Sequence, residues 1–144
     1  MSVDLAAAVA ARLAEQAAAS FAFIGTVADL DAALAGLPRS APAAYVLLLA
    51  ESAESPDLAS LHHQRLRLEF AVVVVCQNLR DATGAAASAD LQARRLQVRS
   101  ALMGWAPDAA NGETVAYTAG RLLAFRDQLV WWTDEFSVMT DYAA

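Results

Sequence analysis

The chain has no lysine: its ten basic residues are all arginine, set against sixteen acids, for a formal net charge of −6. That balance argues against a nucleic-acid-binding surface, which needs clustered positive charge to displace condensed counterions. With the abundant alanine, the exclusive use of arginine reads as the mark of a GC-rich coding sequence. Cysteine is nearly missing as well. Cys76 cannot close an internal disulfide and stands in register with Phe70, Val72 and Val74, so it reads as a small core residue. No helix start or basic neighbour is placed to lower its pKa, which speaks against a catalytic thiol. Although 58% of residues are hydrophobic, no window approaches the roughly eighteen uncharged apolar residues of a membrane-spanning helix. The opening MSVDLAAAVAARLAEQ carries Asp4 and no basic n-region, so a secretion signal is not expected. The expectation is a soluble protein made in a cytoplasm.

Site motifs are missing too. No HExxH, CxxC, GxSxG, P-loop or GxGxxG pattern occurs. His62-His63 is the histidine pair, but neighbours on a strand point to opposite faces, and no cysteine or acid stands nearby at ligand spacing. No serine is tied to a histidine and an acid by a recognisable motif. The sequence therefore predicts no catalytic residue, no metal site and no cofactor.

What is present is organised around Arg65–Gln77, RLRLEFAVVVVCQ. Leu66, Leu68 and Phe70 alternate with Arg65, Arg67 and Glu69, the period of a half-buried strand. From Ala71 onward both faces are apolar, so Val73 and Val75 need a cover different from the one over Phe70 and Val74. At 144 residues the chain is expected to form one domain, 1–144, able to bury a core without a disulfide or metal.

Around this strand the sequence predicts a helix from Ser2 to Ala19, capped by Ser2, with Leu5, Val9, Leu13 and Gln16 on one face. A short strand Phe21–Gly25 follows, then a helix Leu30–Ala35 opened by Asp29 and ended by Gly36. A second strand, Ala43–Ala50, leads into a polar loop, Glu51–Ser60. The main strand is expected to run from about Leu61 to Asn78. Ser88 is a suitable N-cap for a helix Ala89–Met103 with Leu91, Val98, Ala101 and Leu102 inward; Gly104-Trp105-Ala106-Pro107 ends it. Glu113–Thr118, Arg121–Phe125 and Leu129–Val138 read as strands, the last two a hairpin around Arg126-Asp127-Gln128. The sum is an α+β fold, a mostly antiparallel sheet of four to six strands with two main helices packed on it.

Several features allow a bland and a functional reading. Trp131-Trp132 places one indole inward and one outward. The outward one is either an edge residue or part of a protein interface, where Trp is enriched. Arg65, Arg67 and Glu69 form a charged row that is either solvated or paired with a neighbouring subunit. Leu96 and Met103 share a separate apolar flank of their helix, available for side packing or for another subunit. These seven residues are the candidate interface.

The segments Ala101-Leu102-Met103-Gly104-Trp105-Ala106-Pro107, Gly120-Arg121-Leu122-Leu123 and Trp131-Trp132-Thr133-Asp134-Glu135-Phe136 resemble the tail terminator proteins of long-tailed bacteriophages. The upstream elements follow the same plan in order. The resemblance implies a structural virion protein without catalytic residues, assembled in the bacterial host. It implies a ring, commonly a hexamer, on the head-proximal end of the tail tube. Its partners would be further copies of itself, the tube protein and a head-completion or connector protein, with DNA passing through without sequence-specific binding and no membrane involved. Another phage neck or minor tail component, and a cellular α+β ligand-binding domain, are the alternatives.

Overall fold

A computed structural model describes residues 4–35, 41–55, 63–77, 85–110, 112–126 and 128–143. Helix α1 (Leu5–Gln16) is capped by Asp4, whose carboxylate accepts the Ala7 backbone N–H at 3.2 Å. The cap expected of Ser2 thus falls to Asp4; Ser2 lies outside the described residues. Leu5, Val9 and Leu13 are buried, and the next inward position is Ala17 rather than the exposed Gln16. Strand β1 (Phe23–Gly25) leads into α2 (Val27–Ala35), which starts before the expected Leu30. Asp29 sits inside its first turn and reaches back to accept the Thr26 N–H at 3.0 Å, the acidic half of a capping box.

Strand β2 (Ala43–Ala53) takes three residues from the expected polar loop, and β3 (His63–Gln77) is the long valine-rich strand. Helix α3 (Ala85–Leu102) begins upstream of Ser88, which is therefore helical and not a cap. It stops where Gly104 adopts φ +84°, a left-handed turn that glycine enters without steric cost. What the sequence divided into Glu113–Thr118 and Arg121–Phe125 is one strand, β4 (Ala116–Arg126), broken in register after Tyr117 and after Leu122. β4 and β5 (Leu129–Ala143) form the expected hairpin.

The five strands lie in the order β1-β2-β3-β5-β4. β1 runs parallel to β2, and the other three pairings are antiparallel. The α+β expectation and its antiparallel emphasis hold.

One face of the sheet carries both long helices. Leu5, Val9 and Leu13 of α1 and Leu91, Val98 and Leu102 of α3 close over Ala44, Val46, Phe70, Val72, Val74 and Phe136. Phe70 and Phe136, opposite each other in register, stack at 5.3 Å, and Tyr117 meets Phe136 edge-on at 5.5 Å. Arginines tie the helices together: Arg12 Nε donates to the Ala101 carbonyl at 2.9 Å, and Arg94 donates to the Ser20 carbonyl. The Ala101 carbonyl lies in the last turn of α3, where the backbone ladder leaves carbonyls unpaired. The opposite face has a smaller cover. There α2 places Ala33 over Ala43, Tyr45, Val73, Val75 and Trp131. Val73 and Val75 thus find their second cover within the chain.

Candidate assembly interface

The most constrained side chain in the molecule is Asp134, fully buried at the centre of β5 on the helix-bearing face. Alternation from Trp132 through Asp134 to Phe136 forces it inward, and a carboxylate there needs partners. Arg95 of α3 supplies them with a fork, Nη2 to Oδ1 at 2.8 Å and Nε to Oδ2 at 3.1 Å. The Tyr117 hydroxyl donates at 3.2 Å and the Trp132 indole N–H at 3.0 Å. Arg95 also lies 4.2 Å above the Trp132 ring, and Arg99 lies 5.2 Å from the centre of the Tyr117 ring. Gly120 makes room: a Cβ there would stand 2.3 Å from the Tyr117 hydroxyl and 2.7 Å from Asp134 Oδ1. Burial opposes the charge on Arg95, but the hydrogen bond and charge of Asp134 outweigh it and hold its pKa above the ordinary value. Burial, then the Asp134 carboxylate, pushes the Tyr117 hydroxyl up. The network locks α3 to β4 and β5.

Cys76 is buried, and burial pushes its thiol up to about 12. The fold does bring a basic neighbour, Arg94, near it, contrary to the sequence reading. Asp90 accompanies that arginine, and burial dominates both. Among the described residues no group of histidine, cysteine and carboxylate side chains could hold a metal, and no helix is long and apolar enough to cross a membrane. His62 lies outside the described residues; His63 Nε2 stands 3.7 Å from Asp141.

The seven candidate interface residues separate into three groups. Neither indole projects freely into solvent: Trp131 is 3% exposed beneath α2, while Trp132 is half-buried beneath Arg95. The two indoles do leave opposite faces of β5, but each face has its own cover at this point, so neither is fully exposed. Arg65, Arg67 and Glu69 do form a row on the face opposite the long helices. Arg65 pairs with Glu113, and Arg67 Nε meets Glu69 at 3.3 Å, so both arginines have acids within the same chain. Leu96 and Met103 remain open. Leu96 is 58% and Met103 48% exposed, and with Arg99 and Ser100 they line a shallow groove along α3. The Nε of Arg99 is buried there without a hydrogen-bond partner.

The structure adds surfaces that sequence reading missed. Leu48 and Leu49 on β2, and Leu122, Leu123 and Phe125 on β4, are large apolar residues left exposed. In sequence they look like ordinary strand interior. Only the sheet order shows that they belong to its rims.

The fold thus combines closed cores and a locked interior network with open apolar rims. The family model of phage tail terminator proteins matches residues 1–143. The chain belongs to the phage tail terminator protein family. It is therefore a structural protein of a phage-type tail. A chain solved in the virion of a native gene transfer agent particle shares the fold, with TM-score 0.59 and 19% identity over 96% of this chain and 95% of that one. No curated protein matches. The resemblance carried by GWAP, GRLL and WWTDEF thus agrees with the family match, and the WWTDEF segment turns out to hold the buried Asp134 network.

Proposed function

We propose that this chain is a ring-forming terminator: copies assemble, as a hexamer, on the head-proximal end of a tail tube, stop its growth and present a docking surface for a head-completion protein. The observation that carries the reading is the family match over residues 1–143. Physical features support it. A net charge of −6 suits a lumen through which DNA slides, since like charge disfavours phosphate contacts. The exposed groove of Leu96, Arg99, Ser100 and Met103 suits a protein contact, with apolar side chains open to a partner. The role requires no catalytic group, cofactor or membrane. It places the protein in the virion, at the neck of the tail, after assembly in the host cytoplasm.

The test is to add the protein to polymerising tail-tube protein and measure tube length by electron microscopy. The proposal expects shortened tubes with a ring of added density on one end. Tubes that grow unchanged, with the protein bound along their sides or only to the head connector, would contradict it.

A further inference from the structure

The sheet has two long open rims among the described residues. β1 pairs with β2 only over Ala43–Tyr45, so Val46–Ala53 has no strand on its outer side. At the other end, β4 is the last strand over Ala116–Arg126. Isolated sheet proteins blunt such edges with proline, lysine, inward-pointing charge or a β-bulge. These two rims contain neither proline nor lysine. Each is bulged, β2 at Leu49 and β4 at Thr118 and Leu123, yet each exposes large apolar side chains beside a bulge. Their charges are opposite. The β2 rim and the residue after it carry Glu51 and Glu54 with no base, while β4 carries Arg121 and Arg126 with no acid. Arg121 keeps a 70% exposed side chain although it reaches Glu135.

We propose that β4 of one copy pairs with the Val46–Ala53 rim of the next, joining the sheets into one closed wall around the ring; this rests on the ring reading above. β2 and β4 run in opposite directions through the successive antiparallel pairings. A copy rotated about an axis along the strands therefore brings β4 antiparallel to β2 with both faces kept in common. Because the rims differ, the contact is head-to-tail, the type that closes into rings. A two-fold contact of β4 with β4 would set arginine against arginine. Leu48 and Phe125 lie on the helix-bearing face, since their partners Phe70 and Val130 do, so a ladder can set them side by side. Backbone hydrogen bonds would supply much of the affinity, as in other strand additions.

The experiment is cysteine cross-linking of the Leu48→Cys/Phe125→Cys double variant on tube ends formed with the tail-tube protein. A short bismaleimide linker also bridges a two-residue slip, because diagonal cross-strand neighbours lie about 7–8 Å apart. Cys76 is buried and its thiol stays protonated, so it does not compete. The expected result is a ladder of covalent oligomers, with neither single variant yielding more than background. Rings visible on tubes without that ladder would overturn the edge pairing and leave the ring standing. Dimers from Phe125→Cys alone would also overturn it, in favour of a two-fold contact. No rings at all would remove the ring reading itself. Phe125→Asp supplies a second readout: an unchanged thermal melt with ring yield down at least tenfold is expected, and undiminished ring yield counts against the pairing.

Discussion

The middle of the sheet and its rims are built from the same apolar residue types and treat them in opposite ways. Val72, Val74 and Phe70 on β3 are fully buried, each between two strands and beneath a helix, whereas Leu48, Leu122 and Phe125 stand about half exposed. The difference is not one of hydrophobicity. It is one of position in the strand order: a residue on β3 or β5 has a neighbour on each side, and one on β4 has a neighbour on one side only. The middle therefore holds the chain together, and the rims are left open.

The largest expected effect comes from attacking the middle. Val74→Asp would bury a charge between Ala44 and Trp132, with no base opposite it in the ladder and the Trp132 N–H already given to Asp134. Several kcal/mol of destabilisation follow, about 4 or more, and the expected outcome is loss of the cooperative thermal transition by circular dichroism. A folded Val74→Asp protein would show that the middle is less closed than described.

Next is the locked network. Asp134→Ala leaves the Arg95 guanidinium buried without its counter-ion, a change that typically costs about 3–5 kcal/mol. Replacing both partners, as Arg95→Met with Asp134→Leu, should recover most of that loss in a denaturant titration. If the double variant is no more stable than Asp134→Ala, the pair is not the unit that locks α3 to the hairpin.

Met103→Asp sharpens the comparison from the other side. Met103 is exposed at the open flank of α3, so its stability cost should stay within about 1 kcal/mol even with an acid near a helix C-terminus. Capping of tail tubes should fail nonetheless. Unfolding of this variant would show that the flank belongs to the core.

The smallest effect concerns pH. The Cys76 thiol is held up near 12 in the folded chain by burial, whereas an unfolded thiol ionises at about 8.5. With the folded pKa raised, stability is unaffected below about pH 8.5 and declines above it, as the unfolded state gains by losing its proton. Tyr117, also raised, adds to the decline only above about pH 10. Denaturant midpoints between pH 8 and 10 should fall for the parent protein and stay flatter for Cys76→Ala.

Much of the fold was legible because it is written in periodicity. Leu5-Val9-Leu13 and the alternation before Phe70 read directly as a helix face and a strand face, and the family resemblance rested on short segments near them. Helix starts were less legible. Residue type alone points to Ser2 and Ser88, yet Asp4 caps α1 and Ser88 is helical; only Asp29, which opens α2, reads correctly from sequence. The Asp134 network left a signal that alternation could have exposed, an acid on the inward side of a strand between Trp132 and Phe136. The rims left none, because a run such as Leu122-Leu123-Ala124-Phe125 does not disclose whether its strand lies inside a sheet or at its border.

The sheet divides into a closed middle and open rims, which the proposed ring would close. Amide hydrogen exchange on the free protein and on the protein bound to tail-tube ends measures that division directly. It predicts slow exchange in Phe70–Cys76 in both states, with new protection on assembly in Val46–Ala53, Leu96–Met103 and Ala116–Arg126. Unchanged exchange at all three rim and flank segments, with new protection confined to other parts of the chain, would contradict it.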